Sequence, residues 1–295
     1  MINRFSKVAL LGRFEDERVG APMQALATHL ASRDVTVFTE DALAGEVSSH
    51  AAGDVDGAIA AADLAIAIGG DGTMLFAAPM AARHDVPLLG INRGRLGFLA
   101  DIGPDEMVAG VDDVLDGRFS AEKRLMLTAT LPDSDLPPAL ALNDAVLQKL
   151  DPGRMLEFET WVDGGFVNTH GGDGLIVASP TGSTAYALSC GGPILTPHLD
   201  AMVLVPVCPH TLSDRPIVIH SSQQVELRLG QSRESSAHIT CDGRLLGPLG
   251  PGERLIIASA PERVTLIHPP SHDYYDMLRT KLRWGRGRHA RPGDV

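Results

Sequence analysis

Five apolar residues, Leu64-Ala65-Ile66-Ala67-Ile68, run straight into Gly69-Gly70-Asp71-Gly72-Thr73, and the stretch beyond has helical periodicity. A strand, a glycine-rich loop and a helix in that order put loop amides where a sheet edge meets a helix N-terminus, which is where phosphates bind. Glycines let the backbone approach a bulky anion and take positive φ. An acidic side chain among them repels phosphate unless it meets a hydroxyl or a metal, so Asp71 points to chemistry.

A second loop follows about a hundred residues later: Gly172-Asp173-Gly174, running on to Pro180-Thr181-Gly182-Ser183-Thr184-Ala185-Tyr186. Together the two loops point to a phosphoryl-transfer site. The first is neither a Walker P-loop, which needs Gly-Lys-Ser or Gly-Lys-Thr, nor a G-x-G-x-x-G fingerprint. Its plainer reading is a tight turn with Asp71 as a helix cap. In the second segment, Pro180 would end a strand and start a helix, with hydroxyls and amides facing a ligand. Asn143-Asp144 and Cys241-Asp242-Gly243-Arg244, taken alone, read as turns.

The first hundred residues alternate strand-like runs (8–11, 35–39, 64–68, 87–91) with helical ones (21–31, 74–83), the pattern of a parallel sheet flanked by helices. Ligands collect beyond the strand C-termini of such sheets, so Gly12-Arg13, the Gly69 to Thr73 loop and Asn92-Arg93-Gly94 are expected along one edge. From residue 125 to 270 the texture changes to short β-rich runs at 125–131, 145–149, 155–162, 203–207, 217–219, 225–229, 255–258 and 264–267. Asp163-Gly164-Gly165 reads as a hairpin turn. The expected organisation is an α/β, Rossmann-like nucleotide-binding domain over 1–120, a β-rich sandwich over 121–270, and a terminal helix and tail over 271–295. That helix is expected to pack back on the N-terminal domain, and the arginines of the tail to be solvated.

A chain of 295 residues, 44% hydrophobic and 21% charged, describes a globular protein of two ordinary domains. The start meets Glu15-Asp16-Glu17 soon after a four-residue apolar run, unlike a secretory signal, and no apolar stretch approaches membrane-spanning length. Cys190, Cys208 and Cys241 are odd in number and far apart, which fits a reducing cytoplasm. The net charge of -12 argues against nucleic-acid or anionic-membrane partners. Small phosphorylated ligands need only a local basic patch, for which Arg93, Arg95, Lys149, Arg154 and Arg244 are candidates. The histidines show no His-Glu-x-x-His spacing, so no protein-held zinc is expected.

The order and wording of the motifs resolve the question. Ile68 to Leu75, Gly90 to Leu99, Leu142-Asn143-Asp144 and Gly172 to Tyr186 together resemble the bacterial NAD kinase family, and the closing Asp273-Tyr274-Tyr275-Asp276 and Lys281-Leu282-Arg283-Trp284 resemble its proteobacterial members. The resemblance covers nearly the whole chain. It implies transfer of the γ-phosphoryl group of ATP to the 2′-hydroxyl of the adenosine ribose of NAD, giving NADP and ADP. By the same resemblance Asp71 is the catalytic base, and Gly69, Gly70, Gly72 and Thr73 cradle the phosphates. The residues it assigns to NAD are Asp71, Gly72, Asn143, Asp144, Arg154, Gly171, Asp173, Thr184, Ala185, Tyr186, Ala187, Leu188, Ser189 and Arg244. A divalent metal, Mg²⁺, is implied to arrive with ATP rather than on protein side chains alone, and the assembly is implied to be a homo-oligomer, a dimer or tetramer. Phe76, Gly171 and Arg244 depart from the common family wording. Two other readings share the first loop: a lipid or sphingoid-base kinase, and a non-catalytic nucleotide sensor.

Overall fold

The computed structural model of the protein describes residues 4–41, 45–47, 49–94, 97–151, 153–232 and 236–284. Arg95, Leu96 and the tail beyond Trp284 lie outside the described residues. The chain divides into two compact units. The first comprises Met1–Ala77, Val86–Glu122 and the stretch from Leu266 onward, and the second comprises Ala78–Asp85 and Lys123–Thr265.

The first unit opens with β1 (Lys7–Leu11), α1 (Glu17–Ser32), β2 (Thr36–Thr39), β3 (His50–Ala51) and α2 (Val55–Ala60). It continues through β4 (Leu64–Gly69), α3 (Asp71–Arg83), β5 (Leu88–Asn92) and α4 (Met107–Leu115). Helix α1 starts where the Asp16 side chain accepts from the Arg18 N–H, and it buries Val19, Met23, Leu26, Ala27 and Leu30 along one stripe. The strands pair in parallel in the order β5-β4-β1-β2-β3, with β4 buried at every residue between β1 and β5. A strand covered on both faces needs no polar positions, which explains the unbroken apolar run. Because β1, β4 and β5 are parallel, Gly12-Arg13, the GGDGT motif and Asn92-Arg93-Gly94 leave the sheet at one edge, as expected.

Three elements of this unit lie outside the expectations. β3 and α2 are too short to show a period, whereas α4 buries Met107, Val111, Val114 and Leu115 with ordinary helical spacing. Helix α3 also begins three residues before the expected start, so Asp71, Gly72 and Thr73 form its first turn. The Gly70 carbonyl accepts from the Thr73 N–H at 2.9 Å and begins the helical ladder.

Strand β6 (Ser120–Thr130) leads into the second unit, which holds β7 (Ala139–Ala141), β8 (Asp144–Lys149), β9 (Leu156–Val162), β10 (Gly165–Gly172), β11 (Gly174–Ala178) and the short α5 (Tyr186–Ser189). Then come β12 (Ala201–Val207), β13 (Ile217–His220), β14 (Val225–Leu229), β15 (Ala237–Cys241), β16 (Arg244–Leu249) and β17 (Arg254–His268). One antiparallel layer runs β10-β9-β14-β17, with β6 pairing to β17 and β7, and the other runs β13-β12-β11-β8-β15-β16. Phe158, Leu227 and Ile257 of the first layer share a core with Leu147, Val177 and Ile239 of the second, which makes this unit the expected sandwich. Strands β8 and β11 are apolar on their other face too, where Val146 and Ile176 pack with Ala187 and Leu195. The segment around Ala187 and Leu195 therefore covers that outer face.

Asp163 and Gly164 take positive φ, +48° and +77°, between β9 and β10, the tight hairpin turn expected there. The runs at 255–258 and 264–267, expected as separate strands, form one continuous strand, β17, with Pro261 inside it. Proline removes a ladder donor, but Pro261 falls after the β14 register ends at Ile257 and before the β5 register begins at Leu266. Those final residues pair in parallel with Leu88 and Leu89 of β5, within the first unit. Helix α6 (Tyr274–Leu282) follows, started by the Asp273 side chain, which accepts from the N–H groups of Tyr275 and Asp276.

Phe158 is 1% exposed at the centre of the sandwich core. Phe158→Ala is expected to lower the free energy of unfolding by about 3–5 kcal/mol, the usual cost of truncating a buried aromatic, measured by urea denaturation.

Candidate functional site

In the first unit, Asp71 stands at the head of α3, directly after the buried end of β4. Its Oδ2 accepts from the Phe98 N–H at 2.9 Å and its Oδ1 from the Leu99 N–H at 3.0 Å. The two amides belong to another loop, not to its own helix. Each carboxylate oxygen keeps a lone-pair direction after these bonds, so the acid is fixed in place and still able to accept. Gly97 permits the clasp, because a Cβ there would lie 1.9 Å from Asp71 Oδ1. Gly69 is different: a Cβ on it would meet the Thr73 hydroxyl at 2.0 Å, so its smallness serves packing against Thr73. At Gly70 and Gly72 an added Cβ would meet nothing within 4 Å, so packing does not demand glycine at either. Arg93, one of the basic candidates, pairs with Asp16. Phe76 is 46% exposed on α3.

In the second unit the Asn-Asp motif, the Thr-Gly-Ser-Thr segment and the Cys-Asp-Gly-Arg turn come together. Asp242 and Gly243 have positive φ between β15 and β16, a hairpin turn as the residues suggest. The Asp242 carboxylate does more than close a turn. It accepts from the N–H groups of Leu142 and Asn143 at 2.7 Å each and of Asp144 at 3.1 Å, and so sets the conformation of the Asn143-Asp144 corner. On the other side the Asn143 carbonyl accepts from the Ser179 N–H at 2.8 Å, and a Cβ on Gly182 would sit 2.1 Å from that same oxygen. Only glycine allows this approach.

Ser183, expected to face a ligand, is fully buried, and so is Ser179 before it. The Ser179 hydroxyl donates to the Leu142 carbonyl and accepts from the Gly182 N–H, while the Ser183 hydroxyl donates to Pro180 and accepts from the Leu195 N–H. Thr184 donates to the Thr181 carbonyl. These hydroxyls build the turn. A strand ending against a sheet must have its last polar groups satisfied, and short side chains do so locally.

Two carboxyls meet at this corner. Burial pushes Asp144 up to about 7, with the Asp242 carboxylate adding to the rise. Burial raises Asp242 as well, opposed by the three N–H groups it accepts and by Arg244. Arg244 itself begins β16 and is exposed.

Asp173 joins β10 to β11 and meets Lys149 Nζ at 2.6 Å. That ion pair holds its carboxyl below the usual range, against a small cost of burial and with help from the Cys208 thiol and His210. Tyr186 opens α5 with its side chain 38% exposed, and burial raises its phenol, with Cys190, Cys208 and Asp173 adding to the effect. Ala185 and Leu188 are half-buried, Ser189 is exposed, and Ala187 is wholly inside the core with Ile176 and Val205. Gly171 lies in β10, where a Cβ would meet Met155 Sδ at 2.9 Å. Arg154 is exposed and pairs with Asp151 at 3.4 Å.

Two family models match the chain: the ATP-NAD kinase N-terminal domain over residues 22–119 and the ATP-NAD kinase C-terminal domain over residues 142–269. The chain belongs to the ATP-NAD kinase family. It is 43% identical to the NAD kinase of Pseudomonas paraeruginosa over 285 residues, covering 95% of this chain and 97% of the relative. With the NAD kinase of Tolumonas auensis it shares 43% identity over 289 residues, 96% of this chain and 98% of the relative. The fold matches yeast NADH kinase complexed with NADH at a TM-score of 0.85, with 22% identity over 97% of this chain and 89% of that one. It also matches an NAD kinase from Archaeoglobus fulgidus in complex with ATP at a TM-score of 0.71, with 23% identity over 94% of this chain and 98% of that one. Neither the lipid-kinase nor the sensor reading is favoured by these likenesses.

In this family member four contributors to the site, Phe98, Leu99, Ser179 and Asp242, carry little signal of their own. The Phe98 and Leu99 amides carry no side-chain signal, and only the preceding Gly97 hints at them. Ser179 carries no signal that separates a buried hydroxyl from an exposed one. Asp242 had a signal, the Asp-Gly pair, but one that any hairpin gives.

The Asp144 carboxyl provides a test of the corner. With a folded value near 7 against an ordinary 3.8, the folded chain keeps a proton that the unfolded chain releases, so stability is lost as pH rises from about 4 to 7. Asp144→Asn removes that loss. Relative to wild type, the variant is expected to gain stability progressively across this window, reaching on the order of a few kcal/mol by pH 8. Parallel pH profiles of the two proteins in urea melts would count against the raised value.

Proposed function

We propose that the chain is an NAD kinase, transferring the γ-phosphoryl group of ATP to the 2′-hydroxyl of the adenosine ribose of NAD and releasing NADP and ADP. One observation carries the mechanistic side of this reading: the motif aspartate is held at the head of a helix by one amide on each oxygen. Identity to NAD kinases along the whole chain supports the substrate pair.

Asp71 accepts the acceptor hydroxyl's hydrogen bond, aligns that oxygen for attack and takes its proton as the bond to phosphorus forms. A carboxylate is a weak base toward an alcohol, so alignment and late proton transfer contribute more than prior deprotonation. Gly70 and Gly72 leave room beside the acid for phosphate oxygens, and Gly69 and Thr73 complete that turn. Asn143, Asp144, Asp173, Arg154, Gly171, Arg244 and the 184–189 segment are assigned to the dinucleotide, with Tyr186 offering an aromatic face and a hydroxyl. The nucleotide substrate enters as its complex with a divalent cation, Mg²⁺, which spreads the charge building on the phosphate oxygens. A cytoplasmic setting and a homo-oligomeric assembly, dimer or tetramer, rest on the same family likeness.

Asp71→Asn keeps the size of the side chain, removes the base and, with an NH2 in place of one oxygen, gives up one of the two amide bonds. With Mg²⁺, ATP and NAD supplied, its rate of NADP formation is expected to fall by about 10²–10⁴-fold, with the Tm within a few degrees of wild type. NADP would be measured with an NADP-specific dehydrogenase. Wild-type turnover in this variant would remove Asp71 from the chemistry, and no NADP from the unaltered protein would remove the substrate assignment.

A further inference from the structure

We propose that Asp101, His268 and His272 form a binding site for one divalent transition-metal ion of the zinc type. The three side chains belong to the first unit, with Asp101 in the segment that follows Leu99, His268 at the end of β17 and His272 just before α6. The fold makes the cluster. The Asn92 N–H donates to the Ile102 carbonyl at 2.9 Å, tying the 99–102 segment to the end of β5, and Ile267 pairs with Leu89 of the same strand. Asp101 and His268 thereby meet although they stand 167 residues apart in sequence. His272 is brought back over His268 by the Pro269-Pro270 turn, with its N–H donating to the Pro269 carbonyl at 3.0 Å.

The geometry is that of a ligand set. Nδ1 of both histidines faces the same oxygen, Asp101 Oδ2, with His272 at 3.1 Å and His268 in closer contact. The three ligand atoms lie within 4.8 Å of one another. A tetrahedral zinc ion with bonds of about 2.0–2.1 Å spaces its ligand atoms roughly 3.3 Å apart, so His268 Nδ1 and Asp101 Oδ2, now in direct contact, part and the stacked rings tilt to admit it. The side chains are 9%, 1% and 9% exposed for Asp101, His268 and His272. The two rings stack with centroids 4.0 Å apart, an arrangement that two imidazolium cations sharing one carboxylate would resist. Nε2 of His272 is buried and accepts no hydrogen bond from any described residue.

A bound cation resolves this crowding. It replaces the protons shared between the Nδ1 atoms and Asp101, leaving each imidazole with its proton on Nε2, where that of His272 meets no acceptor among the described residues. Nε2 of His268 then points toward Glu122 Oε2, now 3.6 Å away, in the outer-carboxylate position that orients metal-bound histidines. Two imidazole nitrogens and one carboxylate oxygen suit Zn²⁺, Co²⁺ or Ni²⁺. They do not suit Mg²⁺, which prefers six oxygens and keeps its waters. The site is therefore distinct in chemistry from the cation that accompanies the nucleotide. Its location also gives it a structural consequence: Asp101 stands two residues beyond Leu99, whose amide holds Asp71. A metal here braces the stretch that positions the acid.

The experiment uses the full chain, stripped with a chelator and dialysed, with Co²⁺ as the probe. One Co²⁺ per chain is expected, with the intense visible absorption of a four-coordinate ion, displaced by equimolar Zn²⁺ in the presence of excess Mg²⁺. His272→Ala and His272→Asn are expected to weaken binding at least 100-fold, and Glu122→Gln about 10–100-fold. His272→Asn keeps a polar side chain in the turn, so its Tm and NADP-forming rate without added metal report that it has folded. The weak spectrum of hexa-aquo Co²⁺ with wild type, or equal affinity in folded His272→Asn, would overturn the site.

Discussion

Carboxylates that gather main-chain amides hold the functional parts of this molecule in shape. The Asp71 oxygens take the amides of Phe98 and Leu99, and Asp242 takes those of Leu142, Asn143 and Asp144. Asp63 does the same for Ser6 and Lys7 at the start of β1. In each case a loop or strand end leaves N–H groups without a ladder partner, and an ionised acceptor binds several of them more strongly than neutral groups would. Such an arrangement fixes backbone and side chain together. A loop that would otherwise sample many conformations is pinned at the point where chemistry needs it.

The two clasped acids differ in consequence. Asp71 is partly exposed and keeps accepting directions turned away from its amides, as the proposed role in accepting a substrate hydrogen requires. Asp242 spends its carboxylate on three amides, and burial raises its neighbour Asp144 with the Asp242 charge adding to the rise. The Asn-Asp corner thereby holds a carboxyl that exchanges its proton near neutrality. Asp173 lies at the opposite extreme, kept ionised by Lys149. In a chain of net charge -12, local partners rather than the overall balance set the state of each acid.

The fold was legible wherever burial imposed a pattern. β4, apolar at every position, and β14, alternating strictly, are visible as strands because one lies between covered faces and the other has one face in the core. β3 and α2 carry too few residues for a period to emerge, and the two halves of β17 read as separate runs because the apolar pattern lapses over 259–263 between them. At the site, the glycine-aspartate wording of Gly69 to Thr73 and Gly172 to Gly174 was readable. What escaped notice were contacts made by backbone, as at Leu99, and hydroxyls such as those of Ser179 and Ser183 that serve their own turn. The meeting of Asp101 with His268 is invisible for a related reason, since it depends on which strands become neighbours rather than on spacing.

The return of the chain at Leu266 to pair with β5 bears on how the molecule is made. The first unit is discontinuous, and its parallel sheet lacks the strand beside Leu88 and Leu89 until the last thirty residues exist. During synthesis β5 therefore waits as an open edge while the entire sandwich is translated. The sandwich draws on one nearly continuous stretch of chain and can close first, leaving the nucleotide-type half to be finished last.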